Sequence, residues 1–596
     1  MAGLAIQPQL LAAAAADAAG INSAIGAAGA AAAAPTTAIT AAAADEVSAV
    51  TAAIFGAYGQ EYQALLGRAV AFHDQFVAAL SAAGSAYEGA EIAASNALHT
   101  LAADALALLS GNAGPTMSTV TGTISATQSF AAGDPIYTLV LGASGYPIPS
   151  QEYIDGIPPL FTNPFWGAGT NIGISTPEGL YPLTGIKDLT LDVSLARGLT
   201  ILNDAIQQYA ILGGTANTVN VFGYSQSAII SSLEMHLLNP TNTPGMSLLP
   251  PGVNLNFTLV GDPANPNGGV FARFPGLTLP SLGLTFGTAT PDNSFPTHIY
   301  TIEYDGFADF PQYPLNFLSD LNAFLGIIEL HGGYPFLTPD QIANAIHLTN
   351  TVGHPLTDYY IVPTKDLPLL APVRAIPVIG HPIADLLQPD LRVIVDLGYG
   401  STTQGWSPDP PNVPTAFGVI PPVSPGGVLS ALGTGAQQGV TAFVNDIRAD
   451  LATPPSFSLP DLTSLGTGGS GLIPALTSAL SSPNSFIASL ESANTNVSDA
   501  IATSASAAYS TLLPTADVAT SLVASVPSYD ANLFLDGVEQ IASGDPAGGL
   551  LYALGAPLAA DTALATLFGG FEVRVFQHAA STILDAWTGT VPPTPG

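Results

Sequence analysis

Residues 219–230 read Val-Asn-Val-Phe-Gly-Tyr-Ser-Gln-Ser-Ala-Ile-Ile. The first four form a short apolar, β-branched run of the kind that fills a buried strand. Gly223-Tyr-Ser225-Gln-Ser227 follows, and Ala228-Ile-Ile opens a helical segment. A strand that turns through Gly-x-Ser-x-Ser into a helix is the context of a nucleophile elbow, which lifts a serine hydroxyl from the end of a sheet in a strained conformation. Small residues at Gly223 and Ser227 let strand and helix approach. Ser227 stands where the usual pattern has glycine, and is expected to add slight strain to the turn. The bare pattern is a weak signal in a chain with 61 glycines; its place between strand and helix carries the argument.

Outward from this turn, residues 136–141 (IYTLVL), 255–260 (LNFTLV) and 298–304 (HIYTIEY) are further strand candidates, and residues 193–212 read as a helix. Such alternation predicts an α/β domain with a mostly parallel sheet covered on both faces. A serine hydroxyl is a poor nucleophile near neutral pH, so a histidine base and an orienting carboxylate must come from elsewhere in the fold. In α/β-hydrolases the chain order is Ser, then acid, then His. The strand candidate at 298–304 runs into Asp305-Gly-Phe-Ala-Asp309, two carboxylates at a strand's carboxyl edge, where open α/β sheets place functional groups. Asp309 is the preferred acid because it lies further past the strand; Asp305 is the alternative, close enough to cap the turn. The bland reading makes both of them turn residues.

Among the histidines beyond this loop, His331 in Leu-His-Gly-Gly-Tyr is the candidate base, since its glycines suit a loop that bends over the serine. His347 falls in a helical run, and His354 and His381 each precede proline, so these read as structural. For the oxyanion, the backbone N–H of Gln226 is one natural donor. The loop 142–145 after the first strand is the source of a second, to which Ser144 could add its hydroxyl. No histidines and carboxylates stand at metal-ligand spacing, and no nucleotide fingerprint is present, so neither metal nor cofactor is expected.

The rest of the 596 residues bounds the setting. Such a length calls for two or three structural units. Nine Lys and Arg against 43 Asp and Glu give a net charge of −34, a field that repels nucleic acid and gains nothing from an anionic membrane. The chain has no cysteine, which removes disulfides, thiolate metal sites and cysteine nucleophiles together. Apolar runs are broken by Asp, Asn, Pro or Gly, so no spanning helix is demanded. The first basic residue is Arg68, and no general secretory signal peptide is expected.

Residues 1–110 are Ala-rich and read as two helices broken at Pro35-Thr36-Thr37. In the second, Val47, Ile54, Tyr58, Tyr62, Phe72 and Phe76 share one apolar face. A two-helix hairpin has too little interior to bury that face alone, which points to a partner. Residues 111–133 have a linker's composition, and the Pro/Gly/Ser-rich region past residue 400 encloses short apolar helices to which no chemistry is assigned.

At these residues a family resemblance enters. Residues 10–80, from LLAAAAADAAG to AFHDQFVAAL, resemble the PE domain of mycobacteria, with Pro8-Gln9 where that family has Pro-Glu. Tyr87-Glu-Gly-Ala-Glu91 is similar to the Tyr-x-x-x-Asp/Glu signal such proteins present to type VII secretion; on a helix Tyr87 and Glu91 share a face. Residues 134–400 resemble the PE-PPE domain, a relative of cutinases and lipases, through GYSQSA, EYDGFADFPQYPLNFL, ELHGGY and DLGYG. Members of that family carry Gly or Ser at the position of Ser227. Its Ser, Asp and His fall on Ser225, Asp309 and His331, with Asp305 open.

The expected organisation is therefore a PE hairpin with secretion signal at 1–92, a helix end and linker at 93–133, an α/β-hydrolase domain at 134–400 and an extension at 401–596. The resemblance implies a PPE protein bound to the N-terminal helices, a cytosolic chaperone, type VII export to the cell envelope or beyond, and an esterase or lipase acting on lipid-like acyl esters. Two alternatives stand beside it: an acyltransferase of cell-envelope glycolipid synthesis, and a surface or interaction protein with weakened chemistry.

Overall fold

The computed structural model describes residues 135–377, 379–452 and 483–588, with a few positions between 30 and 63. The chain divides into two units, Met1–Gln128 and Ser129–Gly596. In the first, residues 32–37 are helical with a bend at residue 38, and the hydroxyls of Thr36 and Thr37 donate to the carbonyls of Ala32 and Ala33. The expected break at Pro35-Thr36-Thr37 is thus helical, its threonines bonded back one turn. The remainder of the hairpin, Tyr87 and Glu91 lie outside the described residues.

The second unit is built on nine strands: β1 (Ile136–Leu141), β2 (Thr170–Ile174), β3 (Thr218–Tyr224), β4 (Asn254–Val260), β5 (Thr278–Leu279), β6 (Leu284–Thr285), β7 (Thr297–Ile302), β8 (Ile346–Leu348) and β9 (Thr357–Val362). Seven of them form one sheet in the order β2-β1-β3-β4-β7-β9-β8. Every neighbouring pair is parallel except β8 with β9, while β5 and β6 make a small hairpin apart. This is the architecture of an α/β-hydrolase. All seven residues of β3 are buried, as a strand covered on both faces requires. Sequence reading missed β2, β5, β6, β8 and β9, and it placed His347 in a helix whereas β8 holds it as a strand residue.

Helix α1 (Leu191–Ala210) packs beside α2 (Gln226–Leu238), which leaves the carboxyl end of β3. Their contact needs Gly198, since a Cβ there would lie 2.4 Å from the Ile230 side chain. Helices α3 (Phe317–Glu329) and α4 (Gly380–Asp396) complete the covering beyond β7.

Past residue 400 the chain does not leave the domain. Its Pro-rich stretch is sewn down: Asn412 donates to Asp292 at 2.9 Å, Arg273 to the carbonyl of Thr415 at 2.8 Å, and Gly418 N–H to the carbonyl of Gln312 at 2.6 Å. Among the described residues five helices follow, α5 (Pro425–Ala452), α6 (Pro483–Ser510), α7 (Leu512–Thr520), α8 (Val526–Ala542) and α9 (Pro546–Thr588). By length and composition α9 is long and apolar enough to cross a membrane, which the interrupted apolar runs had not suggested. Here its Ala556, Ala560, Ala563 and Leu564 are buried in the same core cluster as the sheet residues Leu139, Val221 and Phe257.

The face of α2 turned inward carries Glu234, fully buried, with neither carboxyl oxygen bonded to a protein partner. Burial, with Asp204 nearby, pushes its carboxyl up to about 8. That lies above the unfolded value near 4.3, so between the two the native chain binds more protons than the unfolded one and stability falls as pH rises. Thermal denaturation from pH 5 to 9 should show a falling Tm. Glu234→Gln should flatten the decline by up to about 1.4 kcal/mol per pH unit; an unaltered slope would show that Glu234 ionises freely.

Candidate active site

Ser225 joins β3 to α2 at φ 58°, ψ −116°, a sparsely populated conformation that costs roughly 1–3 kcal/mol and persists only where neighbours enforce it. Its N–H donates to the carbonyl of Val260 at 3.0 Å, anchoring the turn on β4. Gly223 is required by proximity, because a Cβ there would stand 2.8 Å from the carbonyl oxygen of Ser227. Ser227 does more than tolerate the bend. Its hydroxyl accepts from the N–H of Tyr224 at 2.8 Å and donates to the carbonyl of Gly142 at 2.6 Å. The serine expected to add slight strain instead fastens the elbow to the loop after β1. Gly142 is itself obligatory: a Cβ would fall 1.9 Å from the carbonyl oxygen of Tyr146.

His331 follows α3 and brings Nε2 to 2.7 Å from Ser225 Oγ. Its Nδ1 lies 2.8 and 3.0 Å from the two carboxylate oxygens of Asp305. The carboxylate selects the tautomer with the proton on Nδ1 and leaves Nε2 to accept from the serine hydroxyl. Asp305 is fully buried and also accepts from Tyr334 O–H at 2.7 Å and Phe307 N–H at 3.1 Å. Tyr334 accepts in turn from the N–H of Ile302 at 2.9 Å, so the acid is held from the end of its own strand. The imidazole lies edge to face with Phe307 at 4.7 Å, and Tyr224 O–H donates to the His331 carbonyl. Gly261, at φ 57°, leaves room for both rings: a Cβ would come within 2.7 Å of Tyr334 and 3.2 Å of His331.

The preference for Asp309 over Asp305 is therefore corrected. Strand β7 ends at Ile302, earlier than the apolar run suggests, and Tyr304 turns at φ 69°. That early turn directs Asp305 to the imidazole and sends Asp309 inward. Asp309 accepts from the N–H of Tyr304 at 3.0 Å, and burial holds its carboxyl well above the usual carboxylate range, partly offset by Arg273. Arg273 is itself fully buried, its Nε donating to the carbonyl of Phe310 at 3.1 Å. Asp309 braces the back of the loop.

Ser144 is also placed otherwise than expected. Its hydroxyl donates to Gln226 Oε1 at 2.9 Å, and Gln226 Nε2 donates to Ser194 at 2.5 Å. The side chains of both oxyanion candidates are thus committed to each other and to α1. The backbone of Gln226 opens α2, and the first N–H groups of a helix have no intrahelical acceptor. Elsewhere, His347 lies 3.1 Å from Asp358, and His354 and His381 are exposed. Among the described residues no group of three His, Cys, Asp or Glu could hold a metal ion.

Ser225 stands where two compartments meet. One is lined almost wholly by apolar side chains, among them Ile229, Phe271 and Leu279 of the hydrolase domain and Leu564 and Phe568 of α9. The other, about 2180 Å³, opens past His331 and Phe307 and carries Arg574, Gln577 and His578 on its far wall. The α9 residues were not found by sequence reading. Leu564, Leu567, Phe568, Phe571 and Val575 recur at helical spacing, which is a readable stripe, but spacing does not say what the stripe faces.

The chain matches the PE family over residues 4–94 and the PE-PPE domain over residues 168–400. It is 45% identical to the PE family protein PE3 of Mycobacterium tuberculosis over 447 residues, covering 74% of this chain and 87% of that protein. Over 492 residues it is 44% identical to the uncharacterized PPE family protein PPE28 of the same organism, 82% of this chain and 72% of the relative. Esterase PE16, also from Mycobacterium tuberculosis, is 40% identical over 408 residues, 68% of this chain and 70% of its own length. Fold, elbow and sequence kinship agree: the chain belongs to the mycobacterial PE family and carries a PE-PPE domain of α/β-hydrolase type.

Proposed function

We propose that this protein is a serine esterase or lipase that cleaves acyl esters of lipid-like substrates, with Ser225 as nucleophile, His331 as general base and Asp305 as the orienting acid. The observation that carries the reading is the continuous hydrogen-bond chain from Ser225 through His331 to Asp305 at the mouth of an apolar compartment. The 40% identity to Esterase PE16 supports it. In the first step Ser225 Oγ bonds to the ester carbonyl carbon while its proton passes to His331 Nε2. The carbonyl electron pair moves to oxygen, where the backbone N–H of Gln226 at the start of α2 donates to it. Collapse breaks the bond to the alcohol oxygen, which leaves with the proton from His331. Water then repeats the sequence on the acyl-enzyme and releases the carboxylic acid.

An acyl-enzyme can equally be resolved by an alcohol, and the wide compartment beyond His331 offers room for an acceptor. This favours acyl transfer as the second reading. Product analysis with excess glycerol or trehalose separates the two: free acid alone supports hydrolysis, and a new ester supports transfer.

The PE match and Tyr87-Glu-Gly-Ala-Glu91 support export by type VII secretion, with a PPE protein paired to the N-terminal helices and a chaperone and secretion machinery acting on the pair. Such a protein acts in the cell envelope or outside it. Tyr87→Ala should then keep the protein inside the expressing mycobacterium; normal export of this variant would remove the signal assignment.

A fluorophosphonate probe should label the wild-type chain and leave Ser225→Ala unlabelled; equal labelling of both sinks the nucleophile. Asp305→Asn should lower kcat by about 10⁴, the loss that follows when the wrong imidazole tautomer is favoured. Asp309→Asn should act mainly on stability, because it alters a buried hydrogen-bonded brace, by about 1–3 kcal/mol. A larger loss of kcat in folded Asp309→Asn than in Asp305→Asn would reverse the assignment.

A further inference from the structure

The C-terminal helices close the compartment into which Ser225 opens. Helix α9 presents Leu564, Leu567, Phe568, Phe571 and Val575 to it, and α7 adds Val518. The contact is built from both sides. Gly570, in the middle of α9, is where a Cβ would come within 2.3 Å of the Phe324 ring on α3, so a residue that weakens a helix interior here permits close approach. Phe571 lies 5.7 Å from Phe324 and 6.4 Å, nearly parallel, from Phe307. Phe307 in turn packs on His331. An aromatic series thus runs from the imidazole to α9.

Helix α7 is fixed to the opposite wall by polar bonds. Tyr181, beside the pocket residues Leu180 and Pro182, donates to the Asp517 carboxylate at 2.6 Å. Ser281, between Leu279 and Leu282 of the wall, donates to the Asp517 carbonyl at 2.8 Å, and Thr515 donates to Glu572 of α9 at 2.9 Å. These contacts join three segments distant in sequence around one apolar volume.

We propose that α9 and α7 form the outer wall of an acyl-chain site, and that the preferred substrates are esters of a single chain of about eight carbons or more. This rests on the reading of Ser225 as nucleophile. Ser144, Ser225, Gln226, Tyr181 and Glu572 are the residues of the lining with polar side chains, and the remainder is hydrocarbon. An acetyl group on Ser225 would be too short to meet most of this apolar lining, Leu564, Leu567 and Phe568 of α9 and Val518 of α7 included. Each further methylene taken from water into such a site is worth about fourfold in kcat/KM, until the chain reaches the wall.

The test uses the full chain and p-nitrophenyl esters from acetate to dodecanoate, read as the ratio of kcat/KM for dodecanoate over acetate. Wild type should favour dodecanoate by at least tenfold. Leu567→Trp and Val518→Trp, which fill the site from two helices, should each lower the ratio at least tenfold. Leu558→Trp, on the outer face of α9 where Leu558 is 61% exposed, should keep it within twofold. A wild-type preference for acetate overturns the proposal, as does an unchanged ratio in folded Leu567→Trp and Val518→Trp that still react with fluorophosphonate.

Should either variant misfold, wild type supplies the answer through a dodecyl fluorophosphonate with a terminal diazirine. After it labels Ser225, photolysis should cross-link residues 564–575 or residue 518. Cross-links confined to other segments reject the acyl wall. Hydrolysis or labelling that survives in Ser225→Ala condemns the nucleophile instead, which keeps the two failures apart.

Discussion

A single serine held at φ 58° by its surroundings is the constraint on which the site depends. Val260 holds its N–H from the neighbouring strand, Gly223 lets α2 close behind it, and Ser227 ties the turn to Gly142. Strain of this kind is stable only when the surroundings over-determine it. Each restraint also places something else. The bond from Ser227 sets the loop after β1, and that loop carries Ser144, whose hydroxyl fixes the side chain of Gln226. The side chains of Ser144, Gln226 and Ser227 and the turn at Ser225 are thereby joined in one network.

The acid turn repeats this logic with charge. Residues 303–309 gather Glu303, Asp305 and Asp309 in a chain with only nine Lys and Arg. Two of the nine stand behind this turn. Arg273 is buried against the loop; Arg392 lies 3.6 Å from Glu303 and over the ring of Tyr304. Asp305 is given no cation and takes an imidazole and a phenol instead. A cation beside Asp305 would compete with the imidazole of His331 for that carboxylate. Arg273 bonds to the carbonyls of Phe310 and Thr415 and Arg392 approaches Glu303, which leaves Asp305 to its imidazole and phenol.

How much of this was legible depends on distance along the chain. The strand-turn-helix at 219–230 is local, so the β-branched run, the small residues and the serine located β3, the elbow and α2 directly. His331 was legible from its glycines. Asp305 was not preferred, because the run HIYTIEY reads as strand through residue 304 while β7 stops at Ile302. Tyr304 at positive φ makes the turn, and nothing in a tyrosine announces that conformation. Gly306 was the available signal: a Cβ there would meet the carbonyl oxygen of Ala323 at 2.3 Å, so the loop presses on α3 immediately after Asp305. β2 and β8 are short and partly exposed, too brief for alternation to distinguish them from loop.

The acyl-side wall lies at the other extreme. Leu564 and Ser225 border one compartment although the acid loop, the Pro-rich stretch and helices α2 to α8 lie between them in the chain. An amphipathic stripe states that a helix buries one face and is silent about the surface that receives it. What identifies the receiving surface is complementary relief: Gly570 opposite Phe324, Phe571 opposite Phe307, Asp517 within reach of Tyr181. None of these pairs has a sequence pattern, because each is a relation between distant residues. The elbow of this fold can therefore be read from a dozen residues, whereas the apolar compartment beside it is fixed by contacts that exist only once the chain has folded.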